Sequence, residues 1–465
     1  MAAITTIKDK ELIGMDTSFF HAYDIRGLID AELNDETCER IGRAFGTVIK
    51  GKPVVVGRDI RYSSKKIHPA FIRGLVAAGC AVTDIGECPS PVLFYNALHL
   101  KQFGAVITAS HNPAEYTGFK FVEPNGLSFL GQYDEMKQVY ENSNFLSGTG
   151  SVRHADGYTP YRDFLRQIIN LGPKKKIRVA VECLYASGAV IIPRLYEELG
   201  LEVVPSHCIP KPDFNNERPE PKGENLRELR RLVVKHKADF GVALDGDCDR
   251  SVFIDDRGRE LNGSISSAVF IKSILPQKPQ GRRNIVITVD CNSELKPLAE
   301  SFGSKLIWSD VGHSFIGKAV HENNSVYGGE MSSHMWFEHH PFSDGFLAGL
   351  KMAEILSNSS EPLSKMVDEV KFAPMMKEYV GCGTHEKKEK VIAKLVAAAK
   401  KQHPDATLTR DGIKFFLNSL EWVMLRKSNN LPEVCIVIEA KDDARLKELH
   451  NEYRKVVDAA IASTT

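Results

Sequence analysis

No Cys-x-x-Cys pair occurs among the nine cysteines, which lie at 38, 80, 88, 183, 208, 248, 291, 382 and 435. The scatter and the odd total exclude a local paired-thiol zinc or redox motif and suit reduced thiols in a cytosol. Net charge is missing too, since 60 Lys and Arg balance 60 Asp and Glu. Without a bulk basic field neither a nucleic acid nor an anionic membrane is expected as a partner, and any anion has to be bound locally. Lys8, Asp9, Lys10 and Glu11 precede any long apolar run, so no secretory leader or membrane span is visible. No low-complexity tract interrupts the chain. A soluble, cytoplasmic protein is expected.

Hydrophobic residues make up 43% of 465 positions, enough for the cores of three or four domains. Strand-like runs alternate with helical spacing: Val54-Val-Val56, then Ile67 to Ala78, Ala81-Val-Thr-Asp-Ile85 and Phe103-Gly-Ala-Val-Ile107. A polar, Gly-rich stretch from Asn142 to Gly157 reads as a boundary. A second cycle runs from Ile177-Arg-Val-Ala-Val181 through a helix near 187–199 to Phe240-Gly-Val-Ala-Leu244. A third runs from Ile285-Val-Ile-Thr-Val289 to a helix across Phe346–Ser357. This layering predicts three α/β units of similar length without repeated sequence. From Pro374 onward a charged helix (Glu386–Gln402), strands near 413–417, 421–425 and 434–439, and a last helix from Ala444 to about Ile461 predict a smaller α+β domain.

The stretch Thr108-Ala-Ser-His-Asn-Pro113 places Ser110 on a loop at a strand end, where open α/β sheets hold their ligands. Alone, Ser110 reads more readily as a turn residue or helix cap. A hydrolase is disfavoured, because the Gly-x-Ser-x-Gly elbow is absent and neighbours such as Ser110 and His111 rarely face each other. Beyond the 240–244 run, Asp245-Gly-Asp-Cys-Asp-Arg250 sets three carboxylates at alternate positions. At ~4 Å each pair would repel by on the order of 4 kcal/mol at an effective dielectric near 20. A divalent cation removes that cost, and hard oxygen ligands favour magnesium, calcium or manganese. A calcium EF-hand fits worse, since Arg250 stands where its glycine belongs and Asp256 where its glutamate belongs. A solvated acidic turn is the remaining alternative.

Other loops supply cations and donors. Tyr23-Asp-Ile-Arg-Gly27 brings Arg26, and Gly57-Arg-Asp-Ile-Arg61 brings two more arginines; each alone reads as a surface salt-bridge former. Lys120 follows Ser110 closely enough to share a pocket, and a lysine hemmed in by cations gives up its proton readily. Gly312-His313 and the trio Glu330, Ser332 and His334, alternating along one face of an extended segment, suit sugar hydroxyls. His339 and His340 read as a solvated pair. Arg426-Lys-Ser-Asn-Asn430 has the guanidinium, hydroxyl and amide donors of a phosphate nest.

Tyr-Asp-Ile-Arg-Gly, Thr-Ala-Ser-His-Asn-Pro, Gly-Phe-Lys, Asp-Gly-Asp-x-Asp-Arg, Gly-Glu-Met-Ser-x-His and Arg-x-Ser-Asn follow one another here, and in that order the chain resembles the α-D-phosphohexomutases. Within them it is similar to the phosphomannomutase/phosphoglucomutase branch, from about residue 20 to 460. The resemblance implies four domains around a central active-site cleft. Three are related α/β domains with mixed sheets: 1–150 with the phosphoserine loop, 151–258 with the metal-binding loop and 259–372 with the sugar-binding loop. The fourth, 373–465, is the α+β domain with the phosphate-binding loop.

The same resemblance implies a phosphorylated Ser110 that holds Mg2+ together with Asp245, Asp247 and Asp249. Lys120 and His111 would transfer protons and Arg26 would place the reacting phosphate. Tyr23, Arg250, Gly312 and His313 would contact substrate; Glu330, Ser332 and His334 would grip ring hydroxyls. Arg426, Ser428, Asn429 and Asn430 would hold the phosphate that is not reacting. The implied reaction interconverts hexose 1-phosphate and hexose 6-phosphate, of mannose or glucose, through hexose 1,6-bisphosphate. A monomer or weak homodimer is expected.

Four departures stand out. Asn430 replaces the threonine usual in the phosphate loop, Ser333 replaces a glycine, and Asp310 and Asp290 fall near positions where lysines are usual. Acids beside an anionic ligand predict weaker binding. The alternatives are a mutase for an amino or modified sugar phosphate, a sugar-bisphosphate-forming phosphotransferase, or a catalytically weak sugar-phosphate binding protein. Intact Ser110, Lys120 and aspartates argue against the last.

Overall fold

The computed structural model describes residues 16–21, 24–173, 175–279, 281, 283–428 and 431–464. Tyr23, Asn429 and Asn430 lie outside the described residues.

The first sheet is built from β1 (Ile25–Leu28), β2 (Val54–Arg58), β3 (Ala81–Glu87), β4 (Phe103–Ile107), β5 (Tyr116–Val122) and β6 (Ser151–His154), in the order β1-β5-β4-β2-β3-β6. The second holds β7 (Arg178–Glu182), β8 (Glu202–Ser206), β9 (Phe240–Leu244), β10 (Ser251–Asp255) and β11 (Glu260–Leu261), in the order β11-β10-β9-β7-β8. The third orders β12 (Ile285–Thr288), β13 (Leu306–Ser309), β14 (Tyr327–Gly329) and β15 (Met335–Phe337) as β13-β12-β14-β15.

One frame recurs in all three. In each, counting from β2, β7 and β12, the first strand of the frame lies parallel to the second on one side and to the third on the other, and a fourth strand returns antiparallel to the third. The apolar runs that form the parallel strands are buried throughout in β9 and β12, as strands covered on both faces must be. The consequence for function is topological. The hairpin loop between third and fourth strand carries Ser110 in the first unit, Asp245–Asp249 in the second and Glu330–His334 in the third.

A fourth, all-antiparallel sheet contains β16 (Met375–Gly381), β17 (Thr407–Thr409), β18 (Gly412–Asn418), β19 (Glu421–Lys427) and β20 (Glu433–Glu439), ordered β16-β20-β19-β18-β17. The helices His385–Gln402 and Asp443–Ala462 accompany it, capped by the Thr384 and Asp442 side chains. Val391, Leu395, Leu449 and Tyr453 of those helices share a core with Phe415, Val423 and Ile436 of the sheet.

The Gly-rich stretch read as a boundary belongs to the first sheet, because β6 pairs in parallel with β3. Its glycines have a packing reason: a Cβ on Gly150 would meet the Cys80 carbonyl at 2.1 Å. The second and third units share one continuous core, with Val179, Phe253, Phe270 and Phe346 among its members. Ser293 N donates to Glu439 Oε2 at 2.9 Å and Lys414 Nζ to the Val289 carbonyl at 2.8 Å, fastening the third unit to the fourth. Among the described residues no helix is long and apolar enough to cross a membrane.

Candidate active site

Ser110 sits just past β4 in the left-handed region, φ 49°. That backbone is uncommon for a residue with a Cβ and costs roughly 1–2 kcal/mol, so surrounding contacts have to impose it. Arg61 does much of this. Fully buried, it donates from Nη2 to the carbonyls of Ser110 (2.6 Å) and Asn112 (2.8 Å) and from Nε to Asp59 (3.0 Å), and its guanidinium lies 4.6 Å from the Phe214 ring centroid. The surface role expected of Arg61 is therefore wrong, whereas Arg58 does pair with Glu87 near the surface. Arg61→Met, which strands Asp59, should destabilise the fold by about 3–5 kcal/mol, visible as a lowered Tm.

The serine hydroxyl points out of its own unit. Oγ donates to Asp245 Oδ2 at 2.7 Å and lies 3.2 Å from His111 Nδ1. Asp245, Asp247 and Asp249 are all buried, and each offers a carboxylate oxygen within 4.8 Å of the others. Burial, then Asp249 and Asp247, push Asp245 up to about 7. Asp247 Oδ1 is buried with no hydrogen-bond partner among the described residues. Clustered carboxylates, one with an orphaned oxygen and another reluctant to ionise, fit a divalent cation held by hard oxygens.

Lys120, on β5, differs from its expected setting. Its Nζ lies 2.6 Å from Asp247 Oδ2 and 2.7 Å from Asp249 Oδ2, and although burial opposes the charge, these carboxylates raise its pKa. It is an ammonium clasped by acids, not a lysine depleted by cations. His111 is the opposite case: burial, then Arg250, Arg26 and Lys120, hold it well below its ordinary value, so it is neutral. Arg250 Nη2 also faces His111 Nδ1, and because guanidinium only donates, Nδ1 is an acceptor. Arg26, on β1, donates to Asp24 (2.7 Å) and to Asn112 Oδ1 in the serine loop (3.2 Å).

The third unit's loop joins this group directly. Arg250 and His334 form an antiparallel bridge, and Ser251 N donates to the Ser333 carbonyl at 3.1 Å. Glu330 Oε2 accepts from Ser332 Oγ (2.8 Å) and pairs with His334 Nδ1 (2.7 Å), while Oε1 accepts from Gly312 N (2.8 Å). The trio meets as expected, though not on an extended segment. The chain turns between β14 and β15 with Ser333 at φ 69°, the position where glycine is usual. Burial alone would depress His334, but Asp249 and Glu330 flank it and hold it up to about 9. His313, at the start of the helix His313–Glu322, is driven down to about 4 by burial, Lys120 and His334. His339 is exposed, but His340 is buried against Asp344 at 2.9 Å, so the two are not a solvated pair.

Across a cavity of about 230 Å³, Arg26, Ser110, His111, Lys120 and Arg250 face Gly312, His313, Glu330, Ser332, His334, Arg426 and Ser428. Arg426 is anchored by Asp411, and the Ser428 carbonyl accepts from Lys388 at 2.8 Å. Six polar or charged lining residues went unread in the sequence: Arg218, Glu220 and Lys222 of the second unit, Lys377 and Tyr379 of β16, and Glu433 of β20. Lys377 matters for the Asp290 departure. Its Nζ is 2.9 Å from Asp290 Oδ2, and Asp290 is 1% exposed. The acid thus anchors a cation at the cleft wall instead of confronting a ligand. Asp310 is likewise engaged, accepting from Arg410 N at 3.3 Å.

A buried serine, an acidic triplet, the Glu330–His334 turn and the cationic Arg426 wall, drawn from four sheets into one basin, suit phosphoryl transfer to a sugar. Three family models, for phosphoglucomutase/phosphomannomutase alpha/beta/alpha domains I, II and III, match residues 17–146, 159–258 and 262–372. A phosphoglucomutase/phosphomannomutase of Thermococcus kodakarensis is 32% identical over 456 residues, 95% of this chain and 99% of that one. A probable phosphoglucosamine mutase of Methanopyrus kandleri is 31% identical over 446 residues, 94% of this chain and 97% of that one. The crystal structure of a phosphoglucomutase/phosphomannomutase family protein from Burkholderia thailandensis aligns with a TM-score of 0.86 at 29% identity, covering 97% of this chain and 99% of that one. With its loops in one cleft and all three family domains matched, the chain belongs to the phosphoglucomutase/phosphomannomutase family.

Proposed function

We propose that this enzyme interconverts hexose 1-phosphate and hexose 6-phosphate, of mannose or glucose, through a phosphorylated Ser110 and a hexose 1,6-bisphosphate. The observation that carries the reading is the Ser110 hydroxyl at 2.7 Å from Asp245, two residues 135 positions apart. A phosphoserine brings a charge near −2, and Mg2+ bound by Asp245, Asp247, Asp249 and the phosphate would neutralise it together with the triplet. The chain's own residues do the rest. The sugar hydroxyl bonds to phosphorus as the Ser110 Oγ–P bond breaks; one proton leaves the sugar hydroxyl and one arrives at Oγ. In the return half Ser110 Oγ bonds to the other phosphorus as that phosphorus parts from the sugar oxygen; the Ser110 proton leaves to His111, whose Nδ1 is 3.2 Å away, and one proton returns to the sugar oxygen. Lys120, kept as an ammonium by its carboxylate partners, contributes positive charge.

Two orientations of the sugar require a clamp indifferent to which phosphate it holds. Arg426 and Ser428 supply it, with Asn429 and Asn430 as the sequence suggests, and Lys377 adds a cation beside them. Glu330, Ser332 and His334 take ring hydroxyls. Lys377→Met should raise KM for hexose 1-phosphate about tenfold with kcat little changed, the cost of one charge-assisted contact; a coupled assay reads both constants. Relatives named for different sugars resemble the chain almost equally, so the sugar is decided at the bench. Intact-mass measurement of fresh protein should reveal a phosphorylated fraction absent from Ser110→Ala. Turnover of mannose 1-phosphate or glucose 1-phosphate well above glucosamine 1-phosphate is expected, abolished by EDTA and restored by Mg2+. Binding of all three without turnover would overturn the reading.

A further inference from the structure

Cys183 and Cys208 lie 25 residues apart in sequence, yet their sulfurs are 3.0 Å apart, inside ordinary sulfur–sulfur contact. Each follows a strand of one parallel pair, Cys183 directly after β7 and Cys208 two residues after β8, and Cys183 N donates to the Ser206 carbonyl at 3.2 Å. Cys183 is fully buried and Cys208 is partly open to solvent. The backbone around both is already bent: Leu184, Tyr185 and His207 have φ of 48°, 56° and 46°. None of the catalytic roles above uses either thiol.

The segment that follows Cys183 touches the aspartate loop from behind. The segment after Cys183 runs into the helix Gly188–Glu198, and on the way Ser187 N donates to the Gly246 carbonyl at 3.3 Å. At Gly188 a Cβ would stand 3.2 Å from the Cys248 sulfur and 3.7 Å from that of Cys183. Little room separates the cysteine pair from Asp247-Cys248-Asp249.

We infer that Cys183 and Cys208 are a redox modification site, closing to a disulfide on exposure to a peroxide and thereby displacing the metal loop; this rests on the mutase reading only for its effect on turnover. The partly exposed Cys208 sulfur takes an oxygen from hydrogen peroxide and releases water, and the Cys183 sulfur then displaces that oxygen as a second water. Two thiols lose two hydrogens and the peroxide becomes two waters. A disulfide needs its sulfurs about 1 Å closer than they now lie, and the backbone on both sides has to follow.

The test is peroxide treatment of the full chain, followed by alkylation, intact mass and non-reducing peptide mapping, with turnover measured in parallel. Expected are a mass lower by two hydrogens, a peptide joining residues 183 and 208, and a loss of turnover of about tenfold or more that dithiothreitol reverses. Cys208→Ser, active when untreated, should keep its turnover through the same exposure. Oxygen added at Cys208 with Cys183 still alkylated on unfolding would overturn the site. A disulfide with unchanged turnover would overturn its effect on the loop. Reduced protein without turnover would count against the mutase reading instead, and the mass result would still decide the pair.

Discussion

Ser110→Ala is expected to lower kcat by about 10⁴–10⁶-fold, the range found when a covalent nucleophile is removed. The size follows from the arrangement. Ser110 Oγ is the atom to which Asp245 and His111 are both directed, so without it the phosphoryl group has no resting place on the chain. Folding should be nearly unaffected, because the left-handed turn is imposed by the backbone bonds from Arg61 and by Thr108 Oγ1, which accepts from Ser110 N at 3.0 Å. A stopped assay with radiolabelled bisphosphate, sensitive enough to see residual exchange, would check it; activity within tenfold of wild type would place the phosphoryl carrier elsewhere.

Gly246→Ala should also be strongly damaging, although residue 246 carries no chemistry. A Cβ there would stand 2.1 Å from the Ser110 carbonyl oxygen and 2.9 Å from its carbon, distances that no side chain tolerates. Relief requires the serine loop and the metal loop to part by an ångström or more. A misplacement of that size costs about 10²-fold in rate, and here it opens the contact through which one cation would touch both loops. The expected signature is a fall in kcat of at least about 10²-fold, with a raised Mg2+ requirement and retained affinity for hexose phosphate in equilibrium binding, since Arg426, Ser428 and Glu330 lie across the cavity.

Much of this was readable because it is local. β4, β9 and β12 are unbroken apolar runs, and the serine and aspartate loops follow two of them directly, so strand end and chemistry could be assigned together. The helices at 385–402 and 443–462 declare themselves by caps and periodicity. What escaped depends on partners far along the chain. Arg61 sits in a run of charges that looks like surface, and its burial is settled by Asp59 together with carbonyls about fifty residues later. Lys377 lies on a strand whose charged residues look solvated, and it becomes a cleft residue through Asp290, 87 positions away. Lys120 shows the same limit from the other side: its nearness to Ser110 was legible, but the sign of its surroundings was not, because Asp247 and Asp249 come from another sheet. The trio at 330–334 does come together, but by a turn and not by strand alternation, since a left-handed Ser333 folds back what alternation would have spread along a strand.

The three hairpins that carry Ser110, the acidic triplet and Glu330–His334 occupy one address in one repeated frame. A module copied twice over would have begun with three interchangeable tips, free to diverge because each hangs from paired strands that do not depend on its sequence. Division of labour then becomes a matter of changing a handful of residues at a tip while the scaffold beneath keeps its own selection pressure. The third tip is the least separable of the three, because His334 bridges Arg250 and lies 3.2 Å from Asp249, so a change there reaches the acidic triplet as well.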